Sequence, residues 1–253
     1  LGYEDDVDGL LEPYLTGERI EITNASTLAG QLVFAQHYET TGDEESLRLI
    51  LEGAELAFDE NGDPLEAAPM HNEMSDSFFM ATPLLVKAGK FTDKRKYYDM
   101  AAIHVIYMRN LLLRQNGLYR HSPEADVAWS RGNGFATLGL ALALTDFPKE
   151  LPTRDIILGF LADHLTALLP HQDSDGMWHE VIDYPGSFAE ITSTAMIGTA
   201  IKRGLDQGWL SEELFRPALQ KAWHAVKVRT SFEGVFINAC TSTGKMASLD
   251  AYL

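Results

Sequence analysis

Asn116-Gly117-Leu118-Tyr119-Arg120-His121, Asp175-Gly176-Met177-Trp178-His179-Glu180 and Glu233-Gly234-Val235-Phe236-Ile237-Asn238 set one short phrase three times: a polar residue, a glycine, an apolar residue and an aromatic one. Gly117 and Gly176 are 59 residues apart, Gly176 and Gly234 are 58 apart, and Asn61-Gly62, 55 residues before Gly117, reads as a degenerate earlier copy. Each interval has room for two helices, so the simplest repeating unit is a helical hairpin with its glycine loop at one end. Hairpins that stack and close into a ring gather those loops at one mouth. Polar residues far apart in sequence then converge on a single pocket.

The stretches between the loops carry helical periodicity. Tyr98, Ala101, Val105, Met108 and Leu112 recur every three or four residues, as do Ile157, Phe160, Leu161, His164, Leu165 and Leu168, and Phe215, Ala218, Leu219, Ala222 and Val226. Further helices are predicted near 26–40, 44–58, 75–88, 133–146 and 189–206, each rich in Ala, Leu and Met and bounded by Gly, Pro or Asp. At Thr41-Gly42-Asp43-Glu44-Glu45 the glycine suits a helix end and the acids suit the positive end of the next helix dipole, which predicts a helix–turn–helix corner. Alternation of period two is scarce, so the fold class is all-α.

Composition narrows the function. The 253 residues are 45% hydrophobic and 23% charged, enough for a large core, and 20 basic against 37 acidic residues give 20 − 37 = −17. Such a chain is no nucleic-acid binder that draws its affinity from phosphate contacts. The longest nearly apolar run, Gly134 to Leu144, has 11 residues, short of a membrane span. Cys240 is the only cysteine, which excludes an internal disulfide framework and a cysteine-based zinc site. No Pro- or Ser-rich linker divides residues 1–253, read here as one domain. A closed ring of six hairpins needs roughly 300 residues at this spacing. The chain starts within a helix-like segment, Tyr3 to Leu15, and stops at Tyr252-Leu253 without a capping element, so truncation at one or both ends is expected.

Three groups of residues can carry chemistry. Asp76 lies in Met70-His-Asn-Glu-Met-Ser-Asp76-Ser-Phe-Phe-Met80, where a helix starts; the plain reading is a helix cap. His71, Glu73 and Asp76 match no metal-ligand spacing such as H-E-x-x-H, and no metal is expected. Trp129-Ser-Arg131-Gly-Asn133-Gly-Phe135 reads as a tight loop presenting a planar cation beside aromatic faces, suited to a carboxylated sugar. The alternative is a structural Arg131 paired with Glu124 or Asp126, with Trp129 in the core. Trp178-His179 stands level with Tyr119 and His121 in the repeat and so is expected at the same mouth, while Glu190 reads as a first-turn acid of the next helix. There is no G-x-S-x-G elbow, and Cys240 has no local basic partner.

Taken together, these groups resemble the unsaturated glucuronyl and rhamnogalacturonyl hydrolases of glycoside hydrolase families 88 and 105, most closely family 105. The resemblance is carried by Met74-Ser-Asp76-Ser-Phe-Phe-Met80-Ala, Gly117-Leu-Tyr-Arg-His121, Trp129 to Phe135, Gly176-Met-Trp178-His179-Glu-Val-Ile-Asp183 and Ser187-Phe-Ala-Glu190-Ile-Thr-Ser193-Thr-Ala-Met196, in the family's order over roughly residues 25 to 245. It implies an (α/α)6 barrel, Asp76 as general acid/base, and His121, Trp129, Arg131 and His179 around a terminal uronyl ring, with Asn133, Phe135 and Trp178 in the same substrate-binding set. The implied partner is an oligosaccharide ending in an unsaturated uronic acid, and no cofactor is implied. One carboxyl then suffices: it protonates the C4=C5 vinyl ether at C4 and, as a carboxylate, activates water for C5. An apolar surround from Phe78, Phe79 and Met80 would favour its protonated form. The chain departs from the family at Asn24-Ala25-Ser26-Thr27, where an Asp-rich segment is usual, at Met74, where an aromatic is common, and at Phe135, where Trp is common. Two other readings stay open. One is a saturated-uronide hydrolase with a second carboxylate from Glu180, Glu190 or Asp126; the other is a noncatalytic carbohydrate-binding protein on the same ring.

Overall fold

The computed structural model describes residues 4–18 and 21–253. Its helices are α1 Glu4–Leu15, α2 Ala25–Gly30, α3 Leu32–Thr41, α4 Glu44–Glu55, α5 Ser77–Met80, α6 Thr82–Thr92, α7 Arg95–Leu112, α8 Ser130–Asp146, α9 Pro152–Leu168, α10 Ile191–Asp206 and α11 Glu212–Val228. Two antiparallel two-residue strands, β1 Trp178–His179 and β2 Ala189–Glu190, make up the sheet. The all-α expectation holds. No described helix is long and apolar enough to cross a membrane.

The helices pair in chain order as α3–α4, α6–α7, α8–α9 and α10–α11, and each pair is followed by one of the four glycine phrases. Gly62, Gly117, Gly176 and Gly234 all adopt the left-handed region, at φ of 83°, 83°, 87° and 81°. In each turn the glycine N–H donates to the carbonyl three residues back (Asp59, Arg114, Asp173, Ser231) at 3.0–3.1 Å. That same earlier residue donates to the carbonyl four residues on, at 2.9 Å in every copy. Asn61-Gly62 is therefore a full member of the repeat. A residue with a Cβ is disfavoured at such a φ, which is why glycine recurs while its neighbours drift. Gly42 closes α3 at φ 72°, and the Asp43 carboxylate accepts from Ser46 N–H at 2.7 Å, as the corner at 41–45 predicted.

Helices α5, α6, α8 and α10 form an inner row in which α8 packs on the other three, and α7, α9 and α11 lie behind α6, α8 and α10. Small residues permit this. Nearly every side of α8 is buried, and a Cβ on Gly139 would sit 2.4 Å from the Phe78 carbonyl oxygen. One hydrophobic cluster runs from Leu11 to Ala222.

Three helices differ from the sequence reading, the first being the stretch near 26–40, which is divided at Gln31 into α2 and α3. The helix predicted over 75–88 breaks at Ala81, because Pro83 cannot donate to the carbonyl four residues back and its ring crowds that carbonyl. The helix predicted over 133–146 begins at Ser130, so Arg131, Gly132 and Asn133 lie in its first turn and not in a loop. The paired glycines serve close approach: a Cβ on Gly132 would lie 2.1 Å from Ser75 Oγ, and one on Gly134 would lie 3.2 Å from Met196.

Candidate active site

The segments that follow the glycine turns are laced together at the N-terminal ends of the inner helices. Ser75 N–H donates to the His121 carbonyl, His121 N–H to Val127, Ile182 N–H to Ala128, Ser130 N–H to Glu180 and Ile191 N–H to Asn238, all at 2.8–3.0 Å. This rim fixes what stands on it: Asp76 at the start of α5, Trp129 and Arg131 at the start of α8, and Glu190 at the start of α10.

Glu190 and Asp76 occupy equivalent places and behave differently. The Glu190 carboxylate is fully buried and caps α10 by accepting from Thr192 N–H at 3.1 Å and Ser193 N–H at 2.7 Å. It also accepts from Cys240 N–H at 3.1 Å. Asp76 makes no capping hydrogen bond, so the plain helix-cap reading fails there. Its carboxylate Oδ2 instead lies 3.3 Å from His121 Nε2, off the axis of a hydrogen bond, and the side chain keeps 17% of its surface exposed.

From Asp76 the contacts continue outward. The fully buried His121 ring lies 4.5 Å from that of Trp129, and the Arg131 guanidinium sits 4.7 Å over the Trp129 ring. Arg131 Nη1 donates to the Cys240 carbonyl at 2.6 Å. Neither Glu124 nor Asp126 pairs with it: Asp126 lies 3.0 Å from Arg114 and 3.4 Å from Arg120, and Glu124 lies 3.8 Å from Lys245. Among the described residues no carboxylate forms an ion pair with Arg131. The structure thus brings Asp76, His121, Trp129 and Arg131 into one contiguous chain, with Trp129 itself buried in the core at 2% exposure, as the alternative reading had it. Around it, Ser75 Oγ, Asp76 Oδ2, His121 Nε2, Trp129 Nε1 and Ser130 Oγ are buried polar atoms without a hydrogen-bond partner among the described residues. Buried polar atoms are rarely left so, and ordered water or a bound ligand is what ordinarily satisfies such groups.

Four other expected site residues have partners of their own. Asn133 is fully buried, accepts from Tyr119 N–H at 2.9 Å and donates to the Tyr119 and Trp129 carbonyls at 2.8 Å; its side chain is a scaffold brace. Trp178 is fully buried and its indole N–H donates to the Leu168 carbonyl at 2.8 Å, so it faces the core and not the mouth. His179 Nδ1 meets the Ser187 carbonyl at 2.7 Å and Nε2 meets Asp173 at 3.0 Å, which engages both nitrogens within its own loop. Phe135 is half-buried and tilts against Phe79 with ring centroids 5.3 Å apart.

The residues that complete the site come from the chain's end. Tyr252 Oη lies 2.8 Å from His121 Nδ1, Cys240 holds Arg131, and Lys245 pairs with Glu73 at 3.2 Å. That last pair steadies a segment under strain, since Met70, Asn72 and Glu73 all have left-handed φ, at 62°, 48° and 56°. His71 and Glu73 go to partners of their own: the His71 ring meets Tyr107 and its Nδ1 accepts from Glu73 N–H at 2.9 Å. Burial and the neighbouring Glu180 push the Cys240 thiol up, toward its un-ionised form.

The model of Glycosyl Hydrolase Family 88 matches residues 14–253. The chain belongs to that family. It is 24% identical over 247 residues to the unsaturated rhamnogalacturonyl hydrolase YesR of Bacillus subtilis, covering 94% of this chain and 65% of that protein. It is 29% identical over 171 residues to an unsaturated 3S-rhamnoglycuronyl hydrolase of Formosa agariphila, covering 60% of this chain and 45% of that protein. The chain thus spans less than two thirds of these curated relatives. In structure it resembles a possible member of glycoside hydrolase family 105 from Klebsiella pneumoniae, with a TM-score of 0.86 at 23% identity, over 98% of this chain and 70% of that one. The arc of hairpins is therefore the helical barrel fold of the family 88 and 105 proteins.

Proposed function

We propose that this family 88 chain hydrolyses a terminal unsaturated uronic acid from oligosaccharides produced by polysaccharide lyases, with Asp76 as general acid and then general base. The observation that carries the reading is the contiguity of a partly exposed carboxyl with His121, Trp129 and a guanidinium that no carboxylate among the described residues pairs. A uronate carboxylate is a natural partner for the Arg131 N–H groups not engaged by Cys240, and the buried Trp129 ring holds that guanidinium in place from behind. Protonated Asp76 delivers its proton to C4 of the vinyl ether. The positive charge that develops at C5 is spread onto the ring oxygen, and the Asp76 carboxylate takes a proton from the water that attacks C5. The product hemiketal opens and releases the saturated partner, and Asp76 ends protonated as it began.

Support for one carboxyl over two comes from two of the three candidates for a second, Glu190 and Asp126, while the third, Glu180, lies beside the Cys240 thiol. Glu190 caps α10, Asp126 is held by two arginines, and in the stretch 24–27, where the family usually carries an Asp-rich segment, Asn24 caps α2 in a capping box with Thr27. An inverting or retaining glycosidase needs its second carboxylate free to meet water or the sugar.

Turnover is read as loss of the ultraviolet absorbance of the C4=C5 bond. Asp76→Asn, which keeps shape and removes the titrating group, lowers kcat by about 100-fold or more, within the range of general acid–base contributions. Arg131→Ala raises KM by about tenfold or more, the cost of a charge-assisted hydrogen bond. Undiminished turnover by Asp76→Asn would sink the acid/base role; an unchanged KM in Arg131→Ala would remove Arg131 from the carboxylate.

A further inference from the structure

We propose that Tyr252 is a positioning residue: its hydroxyl donates to His121 Nδ1 and so keeps the neutral histidine's proton on Nε2, facing Asp76. The inference rests on the reading of Asp76 as the reacting carboxyl, and its structural half can be tested without turnover.

The argument is a count of protons. A phenol has one hydrogen to give and an oxygen that accepts. Tyr252 Oη lies 2.8 Å from His121 Nδ1 and accepts from Met246 N–H at 3.3 Å. Tyr252 is 5% exposed, and among the described residues His121 Nδ1 is the acceptor its hydroxyl meets. If His121 carried its proton on Nδ1, that hydrogen and the phenol's would compete for one contact, and the bare Nε2 lone pair would face the carboxylate oxygen 3.3 Å away. With the proton on Nε2, both contacts of the ring become attractive and the phenol is satisfied as donor and as acceptor.

The ring itself is fixed. Trp129 lies 4.5 Å from one side of His121 and Tyr252 approaches edge-on at 5.7 Å, so the histidine cannot exchange its nitrogens by flipping without moving both. The Nε2–H then approaches Asp76 Oδ2 and steadies the carboxylate that must take a proton from water. Tyr252 reaches this atom only through His121.

The test uses Tyr252→Phe, which keeps the ring and removes one oxygen, so the buried packing with Val127, Trp129 and Val181 persists. Nitrogen NMR separates the two neutral histidine tautomers, with the His121 signal assigned by its loss in His121→Gln. Wild type is expected to show the Nε2–H form, and Tyr252→Phe a shift of population toward Nδ1–H. In turnover Tyr252→Phe is expected to lower kcat about tenfold, one neutral hydrogen bond's worth, with KM within about twofold. A wild-type His121 protonated on Nδ1, populations unmoved by the substitution, or an unchanged kcat would each overturn the proposal. If wild type turns over no lyase product, the hydrolase reading fails while the tautomer measurement still decides the role of Tyr252.

Discussion

At the scale of single residues, the space around Asp76 is set by a neighbour that has no side chain. A Cβ on Gly132 would meet Ser75 Oγ at 2.1 Å and Asp76 Oδ2 at 3.4 Å. Because Ser75 is fully buried, Gly132→Ala is expected to push the 75–76 segment off the face of α8, lowering melting temperature and turnover together. Ser75→Ala in the same chain removes the clashing oxygen, which has no hydrogen-bond partner among the described residues, so the double variant should regain most of both. A double variant no better than Gly132→Ala alone would show that the clash lies elsewhere. Legibility at this scale was uneven for a physical reason. Asp76, His121, Trp129 and Arg131 stood out by residue type and order, but type does not say where a side chain aims, and Asn133, Trp178 and His179 turned out to brace carbonyls and loops. Tyr252 had no local signal, since its partner His121 is 131 residues away.

Among the elements, the four glycine turns separate backbone strain from packing. Gly62 and Gly176 share nearly the same left-handed φ, 83° and 87°, but a Cβ on Gly62 meets open space whereas one on Gly176 meets the Lys221 carbonyl oxygen at 2.4 Å. Gly62→Ala should therefore cost only the left-handed penalty of about 1–2 kcal/mol. Gly176→Ala must add the displacement of α11 and should cost about 3 kcal/mol or more. Denaturant titration of the two variants checks this; equal losses would mean that α11 yields freely. The spacing that revealed these turns also placed the helices, because an apolar stripe every three to four residues is a local property of the chain. What spacing could not place were the breaks and starts set by single contacts, such as Pro83 ending α5 and Gly132 admitting α8 beside Ser75.

Over the whole molecule, two histidines buried in the scaffold decide how the fold responds to acid. His104 accepts from Ala68 N–H through Nδ1 at 3.2 Å and meets the Ser77 carbonyl through Nε2 at 3.1 Å, tying α7 to the residue that follows Asp76. His164 holds the Gly117 carbonyl at 3.0 Å and so pins the second glycine turn to α9. Burial drives both down from 6.5 to about 4, so each is neutral in the folded chain. The unfolded chain takes up these two protons as pH falls through about 6.5, and the folded chain takes them up only near 4. Stability present above pH 6.5 is therefore lost progressively between 6.5 and 4. At pH 5 the gap of 1.5 units amounts to ~2 kcal/mol for each histidine. The paired carboxylates Glu39, Glu55 and Asp146 are held below their ordinary values by lysines in spite of burial, so their own losses begin at lower pH, while His71, which burial also lowers, adds to the loss in this window. Unfolding free energy measured at pH 7 and pH 5 should differ by about 4 kcal/mol or more, and replacing His164 by Gln should remove ~2 kcal/mol of the difference. A stability that does not change between those two pH values would mean that neither ring is buried in its neutral form, and would undo the anchoring of α5 and of the Gly117 turn that places Asp76 beside His121.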